Sequence, residues 1–360
     1  MALVRLIVLT TFALSPFARA EPQQDMLFFT SVEGADMYAA SDPALEDTDI
    51  HAKVDFLYSY NSDRFRFLAE YILSDEESEL ERLQAAWKID NKTRLWFGRF
   101  HAISKYWTSE FHHGQFMQTS ISRPAMDAWE DESGPSPSHI TGVWLDHEHS
   151  VGQQSAISFG LAAGLAPKFA GQQLRPFDIL SPDSGHDLAI SARLIYRPDV
   201  LSNKQIGMIF ARDDISVVSD SAPNLADLSA IRLRNIGVFA NWSWQDWRLS
   251  TNWTYFDIDM HYNSGDVPEN FLMGYLQAEY QVTENWTIFG RTEQADKEDN
   301  SVYLQLLPEV IAHRGMLGVR WDFADSQALT LEAAATSIQG DNFEHEDFDE
   351  LRLQWSAVFP

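Results

Sequence analysis

The chain has 360 residues and a formal net charge of -27, which argues against nucleic acid as a partner because phosphate binding needs clustered Lys and Arg. Aromatics reach 13%, with 12 Trp and 23 Phe, yet mean hydropathy is only -0.27 and cysteine is absent. That combination suits a barrel with an apolar outside and a wet inside better than a soluble globule.

The first 20 residues read as a secretory signal peptide: Arg5 supplies positive charge, Leu6 to Leu14 is a short apolar run, and Ala18-Arg19-Ala20 is a small-x-small cleavage site. No run of 18 apolar residues follows, so no transmembrane helix is expected. No linker rich in Pro, Gly or Ser divides residues 21–360, which are expected to form one unit.

Beyond the signal the dominant period is two. Phe65, Phe67, Ala69, Tyr71 and Leu73 share one face while Arg64, Arg66, Leu68 and Glu70 share the other. Leu188 to Arg197, Leu272 to Val282 and Leu329 to Thr336 alternate in the same way. About sixteen such segments are predicted, at 26–32, 50–60, 63–73, 78–89, 93–101, 138–147, 154–164, 186–197, 204–213, 229–242, 246–259, 269–282, 285–296, 309–322, 327–338 and 348–359. Without the weak first one and one other the count is 14. Their length suits a membrane crossing at a tilt of about 45°. The fold class is therefore all-β, a transmembrane antiparallel barrel. Short links, such as Asn61-Ser62, Asp90-Asn91-Lys92 and Thr283-Glu284, broadly alternate with long ones at 33–49, 102–137, 165–185, 214–228, 297–308 and 339–347. Short periplasmic turns and long outer loops produce such alternation, and an even strand count leaves both termini in the periplasm.

The 102–137 segment is rich in aromatics and His, which argues against disorder. It is the candidate constriction loop, with His112, His113, Asp127, Glu130 and Asp131 as its polar groups. The histidines at 101, 112, 113, 147 and 149 lack metal-ligand spacing, and adjacent His112 and His113 would point oppositely on a strand. They are read as packing groups; no metal or cofactor is expected. Gly-x-Ser-x-Gly and His-Glu-x-x-His are absent, so no enzyme is expected.

At the C-terminus, Leu351, Leu353, Trp355, Ala357 and Phe359 alternate with Arg352, Gln354 and Ser356. This resembles the terminal strand that the barrel-assembly machinery reads, although Pro360 follows the final aromatic. Acidic clusters fall at 33–49, 75–81, 127–132, 296–299 and 341–350, all beside links that strand parity places outside the cell. They read as solvated loops, with divalent cations bridging to lipopolysaccharide as the alternative. The polar strand faces are instead comparatively basic. Arg64, Arg66, Arg82, Arg193, Arg314, Arg320 and Arg352 are the predicted pore-lining cations. They would favour anions, unless they pair with strand acids as structural ladders.

The whole pattern, with Gly98-Arg-Phe-His and the Ser-Arg-Pro and Glu-Asp-Glu-Ser-Gly elements of the long loop, resembles the outer-membrane porins of the general and phosphate-selective O/P-like kind. That resemblance implies a barrel in outer-membrane lipid, a water-filled channel for passive diffusion of small polar or anionic solutes, a homotrimer, and one long loop folded into the barrel. It also implies a transverse field in the eyelet, for which Arg99, His101 and Arg123 near carboxylates are the expected residues. Phosphate-selective porins are known for lysine-rich sites, whereas this chain uses mainly Arg. A structural or partner-binding barrel without an open pore is the alternative.

Overall fold

The structure, a computed structural model, describes residues 22–38, 47–75, 78–111, 115–130, 134–218, 227–297, 301–307, 310–339 and 345–360. The signal peptide expectation and the predicted loop residues His112, His113 and Asp131 lie outside the described residues.

The strands, in chain order, are β1 (Gln23–Tyr38), β2 (Asp47–Asn61), β3 (Phe65–Ser74), β4 (Ser78–Lys88), β5 (Thr93–His101), β6 (His139–Val151), β7 (Ser155–Leu165), β8 (Lys168–Ala170) and β9 (Gln173–Arg175). They continue with β10 (Leu188–Arg197), β11 (Gln205–Val217), β12 (Leu228–Trp244), β13 (Trp247–Tyr262), β14 (Gly265–Thr283), β15 (Trp286–Ala295), β16 (Val310–Ala324), β17 (Gln327–Gln339) and β18 (His345–Phe359). Among the described residues, sixteen of these close an antiparallel barrel, while β8 and β9 form a small hairpin lodged against β11. The barrel closes where β1 pairs with β18, with Phe28 opposite Phe359. Pairing both flanks of β1 leaves no open edge, the condition for backbone polar groups to survive in hydrocarbon. Pro360 lies beyond the last ladder position and costs no hydrogen bond.

The weak first strand is a full one of 16 residues. The link expected at 33–49 is shorter than its polarity suggests, because β1 runs to Tyr38 and β2 starts at Asp47. Once a barrel supplies partners on both sides, ladder pairing carries polar strand ends past the apolar band. The other links alternate broadly, but on the long-loop side β3–β4 and β13–β14 are joined by short links at 75–77 and 263–264. The turn at Asp90 shows how a short one closes: its carboxylate accepts the backbone N–H groups of Lys92 and Thr93, each at 2.7 Å. Those hydrogen bonds, the Lys92 N–H foremost, hold the Asp90 carboxyl below its ordinary range.

Period two sorts the side chains. Odd residues of β3 such as Phe65 and Leu73 face outward and are exposed, while Leu68, Glu70 and Ile72 are buried inside. Aromatics gather on the outer face toward the short-turn end, with Trp286 stacked on Trp321 at 5.3 Å and Trp247 against Tyr280 at 4.8 Å. This is the girdle position of a barrel in lipid.

Two local departures from regular strand shape what lies inside. Glu70 pairs with Arg82 but Tyr71 pairs with Leu80, so Glu81 is the extra residue of a β-bulge. Glu81 and Arg82 are consequently both buried. In β5, Gly98 has φ +119°, and any side chain there would run into the Leu83 carbonyl. Past this twist the alternation fails: Arg99, Phe100 and His101 are buried in succession.

Candidate functional site: a lumen divided by its long loop

The link between β5 and β6 folds into the barrel. A one-and-a-half-turn helix, α1 (Tyr106–Phe111), carries its aromatics to the far wall. Tyr106 stacks on Phe239 of β12 at 4.5 Å and Trp107 meets Tyr275 of β14 edge-on at 5.7 Å. Around them Phe256, Ile258, Met260, Phe271 and Met273 of β13 and β14 form an apolar core with Phe169 and Leu174 of the hairpin and Tyr303, Leu304 and Leu307 of the β15–β16 link. A porous barrel needs no apolar core in its lumen; this one has packed one side of it.

The next stretch of the loop is strapped to the same side by charge. Glu332 of β17 accepts the backbone N–H of Ile121 at 2.8 Å and that of Ser122 at 3.3 Å. One oxygen of Glu293, on β15, takes Arg291 and Arg314 together, each at 2.7 Å, while the other accepts the Ala125 N–H at 2.7 Å. Arg291 reaches the Ser122 carbonyl at 3.1 Å, Arg320 the Gln118 carbonyl at 2.6 Å, and Arg314 the Arg123 carbonyl. Apart from half-buried Arg123 these groups are buried, and a buried ion pair holds only when its remaining donors are satisfied as they are here. The loop then turns back toward β6. Arg123 sits over the Trp129 ring at 3.7 Å, and Lys105 donates to the Ala128 carbonyl at 2.7 Å. Burial raises the Asp127 carboxyl against the pull of Lys105 and Arg123. Burial would also raise Glu130, but the neighbouring His139 outweighs it and brings that carboxyl down to about 2.

The opposite side is open. Three adjoining cavities run from the short-turn mouth up to the loop along β3–β7 and β10, of about 750, 200 and 200 Å³. Arg66 borders all three. The mouth also holds Lys88, Lys92 and Arg94; further in stand Arg193 and Arg197, with Trp96 stacked on Trp144 at 5.6 Å. Arg94 is paired with Asp146 at 2.5 Å and Arg197 with Glu148 at 2.9 Å. Among the described residues neither the Arg66 nor the Arg193 side chain has a hydrogen bond or an ion pair; Arg66 lies over the Trp96 ring at 5.7 Å.

The predicted lining residues thus separate. Arg66 and Arg193 border the cavities. Arg82 also borders one of them but is tied to Glu70. Arg99 binds Glu79 at 2.6 Å and the Glu81 carbonyl at 3.0 Å, and His101 packs against Trp129. Arg123, Arg314 and Arg320 hold the loop, and Arg352 pairs with Glu33 at 3.1 Å and Glu350 at 2.7 Å. One expectation is corrected outright: Arg64 is not on the wall but exposed in the turn before β3, because that strand starts at Phe65. Reasoning from sequence also missed Arg291, Glu293 and Glu332 as the loop's anchors, since their partners lie 168 to 211 positions away.

Among solved structures, the chain is similar to the outer-membrane channel DcaP of Acinetobacter baumannii, with TM-score 0.59 and 8% identity over 96% of this chain and all of that one. It is similar at TM-score 0.61 to the anion-selective porin from Comamonas acidovorans, 12% identical over 94% of this chain and 100% of the other. It is similar at the same score to OmpF of Salmonella typhi in a complex with daunomycin, 10% identical over 93% and 97%. The chain has the sixteen-strand outer-membrane porin fold. No family model matches it, and no curated relative does. The porin fold here carries its long loop anchored on the β15–β17 side, with cavities along the β3–β7 side between the short-turn mouth and the loop.

Proposed function

We propose that the chain is an outer-membrane channel for passive diffusion of small polar or anionic solutes, and that they travel along the β3–β7 and β10 side of the lumen. The observation that carries this reading is the pair Arg66 and Arg193, which border the cavities with no carboxylate partner among the described residues. A guanidinium facing confined space with low-dielectric walls raises the local anion concentration. At the mouth Lys88 and Lys92 stand beside Asp63 and Asp90, and further in Asp146 and Glu148 form ion pairs with Arg94 and Arg197. The signal peptide, the outer-membrane address, contacts with lipopolysaccharide and the assembly machinery, and a homotrimer belong to the same proposal.

Reversal potentials across a planar bilayer in a KCl gradient test the reading: anion preference supports it and strong cation preference refutes it. The second reading, a barrel closed at rest, draws on the apolar core that fills the other side. Liposomes that swell with no solute of any size would favour it.

A further inference from the structure

We propose that the root of the long loop is a divalent metal site, made by Glu81, His101 and His139 and suited to zinc. The proposal is independent of which solute passes the barrel. The three residues come from three consecutive strands: Glu81 from the bulge of β4, His101 from the end of β5, and His139 from the start of β6. One ligand atom from each lies within 4.8 Å of the others, and all three residues are buried. The His139 Nε2 is already 2.8 Å from the Glu81 carboxylate. A tetrahedral zinc ion with bonds of about 2.0–2.1 Å needs ligand atoms roughly 3.4 Å apart, so small side-chain rotations open the gap.

What surrounds the three also fits. The Glu130 carboxylate stands 3.2 Å from His139 Nδ1 and accepts the backbone N–H groups of Ser138 at 2.6 Å and His139 at 2.8 Å. A carboxylate fixed on one ring nitrogen, with the other turned to the ligand site, is the outer-sphere arrangement that metal-binding histidines use. Trp129 stacks on His139 at 5.4 Å and lies 5.5 Å from His101, which shields the site. Glu70 is 4.0 Å from His101 Nε2 and is held by Arg82, while Arg99 is engaged by Glu79. A cavity of about 170 Å³ reaches Glu81, His139 and Glu130 and provides entry. Since His101 opens the loop and His139 follows it, a metal there would fasten both ends of the loop to the wall.

The competing arrangement is a protonated His139 shared between Glu81 and Glu130 with no metal. The detergent-solubilised full chain, freed of metal with chelator, separates the two when titrated with Zn²⁺ and with Co²⁺. One equivalent of Zn²⁺ should bind, and one of Co²⁺ should give the intense visible absorption of a low-symmetry nitrogen- and oxygen-ligated site. His139→Ala and His101→Ala should lower affinity at least ~100-fold and Glu130→Gln about 10- to 100-fold, while His149→Ala leaves it unchanged. Should an alanine variant fail to show the heat-dependent gel shift of a folded barrel, Glu81→Gln and Glu130→Gln keep the shape and decide alone. No tight equivalent in the parent chain, or the same affinity and spectrum in Glu81→Gln and Glu130→Gln, overturns the site.

Discussion

The two sides of this lumen use the same residue to opposite ends. On the β15–β17 side Arg291, Arg314 and Arg320 are buried, saturated with carboxylates and loop carbonyls, and serve to hold the loop down. On the β3–β7 and β10 side Arg66 and Arg193 face space. Parity alone treats these residues alike, since all project inward. What separates them is whether an acid from the same wall and a carbonyl from the loop meet them. A lumen arginine is therefore a strap or a lining according to its neighbours across the sheet.

The contrast can be broken from the strapped side first. Glu293→Gln removes the carboxylate that Arg291, Arg314 and the Ala125 N–H share. It leaves buried Arg314 without its carboxylate and Arg291 with Glu332 as its remaining acid, at a cost of about 3–5 kcal/mol to the loop's attachment. Trypsin should then cut at Arg123 in the folded barrel and single-channel conductance should rise; a loop as resistant as the parent's would show that the strap lies elsewhere. A smaller effect is expected at the hinge between the sides. Gly98→Ala forces a side chain onto the Leu83 carbonyl at a φ of +119°, a strain of about 1–3 kcal/mol. Its expected result is lower thermal stability with the Arg99 and His101 contacts loosened, measured by the temperature of the gel-mobility shift. The smallest effect concerns Asp127, whose raised carboxyl pKa means the packed loop binds that proton more tightly than the released one. Loop packing should tighten as pH falls through the raised pKa and weaken as pH rises. Asp127→Asn should abolish the difference in loop protection between about pH 4 and about pH 7; an unchanged difference would assign it to other groups.

Much of the barrel was legible because lipid on one side and water on the other impose a period of two on every strand. The turn at Asp90 to Lys92 and the terminal strand ending at Phe359 sit where the sequence implies, while the turn expected at Asn61-Ser62 falls at 62–64. Within the long loop the need of Tyr106, Trp107 and Phe111 for a packing surface was legible, and all three are buried. Its destination was not, because the acids that hold it, Glu293 and Glu332, look like any alternating strand residue until the barrel closes. Glu81 was invisible for a different reason. A bulge is a count of two residues against one across a ladder, and one strand read alone carries no trace of its partner. His139 went unweighted because only the fold brings it to His101, with ring centroids 5.2 Å apart.

The central claim is that charge on the open side sets what passes. It is tested most directly by the reversal potential in a KCl gradient for the parent chain and for the double variant Arg66→Gln with Arg193→Gln. Both side chains make no hydrogen bond or ion pair among the described residues, so the change should leave the barrel folded and the loop in place. The account predicts anion preference in the parent and a shift toward cations in the variant. A parent that prefers cations, or a variant with an unmoved reversal potential, would contradict it.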